Sequence, residues 1–105
     1  MEFPSPGSFF KNPEAKDKNL IGQFETDTGQ KIRDDKIPAS WLIEEAGLKG
    51  KKIGGAMVSE KHANFIVNTG NTTAEDVITL AAVIKSKVRN KFGIQLEEEV
   101  QMVGF

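Results

Sequence analysis

Ile53-Gly54-Gly55-Ala56-Met57-Val58-Ser59, the polar turn Glu60-Lys61-His62 and Ala63-Asn64-Phe65-Ile66-Val67-Asn68 form the stretch whose reading decides the fold. Two short apolar runs broken by a polar turn predict an antiparallel pair of strands. The segment that follows, from Thr73 to Lys91, repeats Val77, Leu80, Ala81, Ile84 and Val88 at spacings of three and four. That is one apolar helix stripe. Thr73 and Asp76 read as a capping box. Glu75 and Asp76 suit the positive end of the helix dipole, and Lys85, Lys87, Arg89 and Lys91 the negative end. Gly93 supplies the stop. A hairpin followed by a long amphipathic helix sets the class as α+β, with helices packed on a small sheet that is mostly antiparallel or mixed.

Working outward, Pro38 suits the start of a shorter helix, Ala39 to Ala46, and Gly47 suits its end. Ser8-Phe9-Phe10-Lys11, framed by Pro4, Pro6 and Gly7 before and Asn12-Pro13 after, reads as a first strand. Ile94 to Val103 reads as a last one, with Leu96, Val100 and Val103 as its apolar positions. The expected order is therefore β-α-ββ-α-β in a single domain, 1–105. Glu14 to Lys36 is expected to be the most loop-like part, with a loop or small exposed hairpin around Asp27-Thr28-Gly29.

A chain of 105 residues, 38% hydrophobic and 28% charged, holds one shared core. It contains no cysteine, which excludes disulfides, thiolate zinc sites, iron–sulfur ligation and a cysteine nucleophile. The formal net charge of −1 gives no electrostatic case for nucleic acid or an anionic membrane as partner. No run approaches the roughly 20 apolar residues of a membrane span, and no signal peptide is legible after Met1.

Candidate chemistry is sparse. Gly47-Leu48-Lys49-Gly50-Lys51-Lys52-Ile53-Gly54-Gly55 fits no phosphate-loop pattern and precedes a strand rather than a helix, so it reads as a helix end plus a turn. Asn71-Thr72-Thr73 reads as a helix cap. His62, the single histidine, is by itself a solvated turn residue. Glu97-Glu98-Glu99 is by itself a solvated run, in which strand periodicity places Glu97 and Glu99 on one face and Glu98 on the other. Ser8, directly after Gly7, is either a strand-edge serine or a donor that a ligand approaches closely.

Several blocks taken together are more specific. Gly7-Ser8-Phe9-Phe10-Lys11-Asn12-Pro13, Trp41-Leu42-Ile43-Glu44-Glu45-Ala46-Gly47-Leu48-Lys49-Gly50, Ile53 to Ser59, Lys61 to Asn68 and Leu96-Glu97-Glu98-Glu99-Val100 occur in order over nearly the whole chain. The set resembles the third domain of the UDP-N-acetylenolpyruvoylglucosamine reductase family, the MurB flavoenzymes of peptidoglycan synthesis. The resemblance implies a cytoplasmic oxidoreductase of cell wall biogenesis, and so of cell shape and division. Two N-terminal domains of such an enzyme bind FAD. NADPH reduces the flavin, hydride passes to C3 of UDP-N-acetylglucosamine enolpyruvate, and a proton reaches C2 to give UDP-N-acetylmuramate. It further implies that Ser8 is the proton donor and that Glu99 is a second catalytic residue, stabilising the enolate-like intermediate. Asn12 is implied as a substrate contact, and His62 as another polar one.

The chain departs from the family at Pro6, where a small residue is usual, and at Gln101, where arginine is common. The flavin-binding domains and the catalytic arginine they carry are absent from this sequence. The expectation is a fragment that binds neither FAD nor NADPH alone and is inactive by itself. Its partners would be the enolpyruvyl substrate and the flavin domains of the same parent chain. The alternatives are a stand-alone UDP-sugar-binding module without redox activity, and a purely structural domain. Ser8 and Glu99 stand near opposite ends of the chain, so a shared site requires the first and last strands to be neighbours.

Overall fold

The computed structural model describes residues 9–99. Helix α1 spans Lys18–Thr28 and helix α2 spans Ala39–Glu45. Strands β1 (Lys52–Ile53), β2 (Ala56–Val58) and β3 (Ile66–Asn68) follow, and helix α3 (Ala74–Phe92) comes last. The strands form one antiparallel sheet in the order β1-β2-β3, pairing Ile53 with Ala56 and Met57 with Val67. The class is α+β as expected, and the expected order is matched in outline.

Helix α3 follows its sequence pattern closely. The Thr73 hydroxyl accepts from the Asp76 N–H at 3.1 Å, and the Asp76 carboxylate accepts from the Thr73 N–H at 3.2 Å. At the other end Gly93 adopts φ 71°. Val77, Leu80, Ala81, Ile84 and Val88 are all buried, and the helix crosses β1 and β2. Each of the Val, Leu and Ile side chains contributes about 1.5–3 kcal/mol by leaving water, and the Ala81 methyl roughly 0.8 kcal/mol. At the end of α2, Gly47 at φ 75° donates to the Glu44 carbonyl and Leu48 donates to the Ile43 carbonyl. This is the paired closure of a Schellman end.

Three expectations are corrected. The run Ile53 to Ser59 is two strands, because Gly54-Gly55 makes a two-residue turn with Gly54 at φ 56°. A Cβ at Gly54 would strike the Asp76 carboxylate, and one at Gly55 would strike the Gly70 carbonyl. That close approach docks the hairpin on the start of α3.

The stretch after Pro13 is a helix rather than a loop. Asp17 caps it through the Asn19 N–H, Leu20 and Phe24 are buried one turn apart, and Gly29 at φ 70° ends it. Asp27-Thr28 is thus the last turn of α1, and the tight turn lies further on at Arg33-Asp34-Asp35-Lys36. There the Lys36 N–H donates to the Arg33 carbonyl at 2.9 Å, and Asp34 and Asp35 both have positive φ. Aspartate tolerates that region better than most residues.

The first and last strands are not regular strands within the described residues. They meet at a single antiparallel bridge, Phe10 opposite Glu98. The part of the last strand beyond Glu99, with Val100 and Val103, lies outside the described residues.

Aromatic rings tie α1 to the rest. Trp41 of α2 meets Phe24 of α1 edge-on at 5.3 Å and Phe92 of α3 at 6.0 Å. Its indole N–H donates to Asp27 Oδ2 at 2.8 Å, so the ring's polar edge is satisfied while its body stays buried.

Candidate functional site

The first family-like block is held from both sides. On one side, Lys11 donates to the Glu97 carbonyl and Glu99 donates to the Phe9 carbonyl, each at 2.8 Å. Phe10 and Glu98 are therefore a non-hydrogen-bonded antiparallel pair, and the Phe10 peptide groups point the other way. There they meet Asn64. Its Oδ1 accepts from the Phe10 N–H and its Nδ2 donates to the Phe10 carbonyl, both at 2.9 Å. The Asn64 carbonyl also accepts from the Phe9 N–H at 2.7 Å. Phe9, Phe10 and Asn64 are all buried, so losing the amide would leave buried peptide groups unsatisfied at about 1–3 kcal/mol each.

The turn leading to Asn64 is built on Ser59, whose buried hydroxyl lies 3.2 Å from the Lys61 N–H and 3.3 Å from the His62 N–H and accepts from both. His62 is exposed, with its ring 5.3 Å from that of Phe65. On the last segment the alternation expected from strand geometry holds. Leu96 is buried, Glu97 and Glu99 are exposed, and Glu98 is half-buried. Lys85 of α3 reaches Glu98 Oε1 at 3.1 Å and Oε2 at 3.2 Å, which fixes one face of the segment to the helix and leaves Glu99 on the other.

Asn12 has a structural duty as well. Its Oδ1 accepts from the Ala39 N–H at the start of α2 at 2.9 Å, which leaves its NH₂ group to donate elsewhere. The same residue lines a cleft of about 710 Å³ with Gln30, Lys31, Arg33, Asp34 and Lys36. Three cations against one carboxylate make this wall positive. Among the described residues none of the three forms a salt bridge.

Two carboxyl groups are perturbed. Asp76 sits below its ordinary value because the Gly55 and Thr73 N–H groups donate to it. Glu45 is raised, first by desolvation and then by the neighbouring Asp27 carboxylate. Neither belongs to the seam around Phe10, so both are read as structural.

The chain matches the family model for UDP-N-acetylenolpyruvoylglucosamine reductase, C-terminal domain, over residues 1–103. It belongs to that family. It is 50% identical over 103 residues to the UDP-N-acetylenolpyruvoylglucosamine reductase of Geotalea uraniireducens (strain Rf4), covering 97% of this chain and 27% of the relative. With the enzyme of the same name from Chloroherpeton thalassium it shares 47% over 105 residues, covering 100% of this chain and 29% of the relative. Among solved structures, the UDP-N-acetylenolpyruvylglucosamine reductase (MurB) of Thermus caldophilus superposes with a TM-score of 0.56 at 36% identity. That match covers 90% of this chain and 26% of the solved one. The chain thus spans about a quarter of the length of the curated relatives it matches.

Within this reductase C-terminal domain, three motif blocks far apart in sequence converge on one seam. They are Phe9 to Lys11, Asn64, and Glu97 to Glu99, whereas the Asn12 side chain turns to Ala39 and His62 packs on Phe65. Ser8 lies outside the described residues, as does Gln101. Residue-level reading of the sequence gave no role to Asn64, Lys31 or Arg33. The available signal for Asn64 was a lone amide inside the apolar run Ala63 to Val67, where an unpaired polar group would be costly. Among the described residues no helix is long and apolar enough to cross a membrane.

Proposed function

We propose that this chain is the substrate-binding and proton-delivering domain of a cytoplasmic UDP-N-acetylmuramate dehydrogenase. Its parent enzyme would reduce UDP-N-acetylglucosamine enolpyruvate at the expense of NADPH, in peptidoglycan synthesis. The observation that carries the reading is the Phe10–Glu98 bridge, which sets the segment after Ser8 beside the segment bearing Glu99. Reduction adds hydride at C3 and a proton at C2 of the enolpyruvyl group. Charge developing at C2 spreads into the adjacent carboxylate. Ser8 then serves as the proton donor; so basic a carbon needs no depressed serine pKa. Glu99 stabilises the enolate-like intermediate, as a protonated acid or through a water. Asn12 and His62 contact the substrate, and the positive cleft wall suits its diphosphate.

Among the described residues there is no glycine-rich dinucleotide turn of the kind that cradles a pyrophosphate. The sheet is antiparallel, and its helices start at Asp17-Lys18, Pro38-Ala39 and Thr73-Ala74. In this reading the flavin, which supplies the hydride, would be held by the flavin-binding domains of the parent chain.

The test is a two-dimensional NMR titration of the chain with UDP-N-acetylglucosamine enolpyruvate, run beside a reductase assay of the chain joined to flavin domains of a relative. Shifts at Asn12, His62 and Glu99 together with NADPH oxidation support the reading. Binding with no turnover in the joined protein would favour a stand-alone UDP-sugar module instead.

A further inference from the structure

Phe9 and Phe10 directly follow Ser8, and one residue answers three of their peptide groups. Asn64, only 3% exposed, accepts from the Phe10 N–H, donates to the Phe10 carbonyl and accepts from the Phe9 N–H through its own carbonyl. Its side-chain amide reproduces the donor and acceptor of a peptide group, so it stands where a neighbouring strand would otherwise run. The other side of Phe9 to Lys11 is occupied by Glu97 to Glu99. The segment is thus clamped laterally on both flanks, although it forms only a single-bridge contact and no regular strand.

We infer that Asn64 is a positioning residue for the proton-transfer half of the reaction, acting through Ser8 by fixing the two residues that follow it. The inference rests on the proposed role of Ser8. A proton donor must reach C2 within hydrogen-bond range, and a displacement of about 1 Å costs roughly a hundredfold in rate. Leu shares the branched shape of Asn, with larger terminal groups, but neither donates nor accepts. Asp keeps the acceptor for the Phe10 N–H and regains the donor only when protonated.

The experiment uses stopped-flow kinetics of the full-length reductase carrying this domain, with N64L, N64D, S8A and the double variant N64L/S8A. Amide exchange at Phe10 is followed in parallel in the 105-residue chain. N64L should leave flavin reduction by NADPH within about twofold and slow flavin reoxidation by substrate about tenfold to a hundredfold. The double variant should be no slower than S8A, because both changes act on one event. N64D should recover as pH falls through its carboxyl pKa, and only where Ser8 is present. Phe10 exchange should accelerate in N64L.

Reoxidation at the parental rate in N64L would overturn the inference, as would a double variant slowed by the product of the two single effects. If N64L does not fold, N64D decides alone, and a pH profile parallel to the parent's counts against it. Normal reoxidation in S8A would instead remove the role of Ser8, and the inference with it.

Discussion

Phe10 and Glu98 face each other across an antiparallel bridge, with the Phe9 carbonyl receiving the Glu99 N–H at 2.8 Å. Backbone pairing of this kind fixes where the last segment runs relative to the first. With Lys85 holding Glu98 on one face, Glu99 is left on the opposite one.

In the full-length enzyme, S8A should leave flavin reduction by NADPH nearly unchanged and lower turnover of the enolpyruvyl substrate by about two to four orders of magnitude. E99Q should be milder than E99A if the carboxyl acts protonated. Separating the half-reactions by stopped flow checks this. Slower flavin reduction with parental reoxidation in S8A would contradict the assignment.

K31A and R33A should each raise KM for the substrate about fivefold to thirtyfold with little change in kcat, the reach of a charge-assisted hydrogen bond at a partly screened site. The difference from the parent should shrink between low and high salt, since the cleft is open to solvent. Steady-state kinetics at two ionic strengths is the measurement. An unchanged KM in both variants would remove the cleft from substrate binding.

L80A should cost about 2–5 kcal/mol in urea unfolding, because Leu80 is fully buried where α3 crosses the sheet. A loss below about 0.5 kcal/mol would be the figure for a surface position and would contradict the packing.

Asp76 makes stability depend on pH with a definite sign. Its carboxylate accepts from Gly55 and Thr73, so its folded pKa lies below the ordinary aspartate value of 3.8. The charged form is favoured in the fold. Its contribution is complete above the unfolded value and is lost as pH falls through the folded one. D76N keeps an acceptor but carries no charge. Its unfolding midpoint should therefore fall less steeply than the parent's below about pH 4, while the parent is the more stable at neutral pH. Parallel curves would show that the capping contact carries no charge-dependent stability.

The sequence made some of this legible and hid the rest for physical reasons. Val77, Leu80, Ile84 and Val88 announce α3 because a stripe long enough to cross a sheet has a clear period. Helix α1 carries only Leu20, Ile21 and Phe24 among eleven residues, too few to show a period, and Asp27-Thr28-Gly29 looks like a hairpin turn until Gly29 is seen to end a helix. Gly54-Gly55 was visible as turn chemistry, but the apolar residues on either side disguised two strands as one. Of the proposed site residues, Ser8 and Glu99 stand out only through the family's motif, since their types alone say surface. Asn64 stayed hidden because its partners are peptide groups, which no side-chain pattern records.

Trp41 is the single tryptophan of the chain, and its ring touches Phe24 and Phe92 while its N–H binds Asp27. The three helices of the described residues therefore report to one fluorophore. Phe24, which meets that ring edge-on, also lines the positive cleft. The domain thus carries its own optical probe, wired by one aromatic contact to the cleft proposed for the diphosphate. Undocking of α1 would register in its emission without any label.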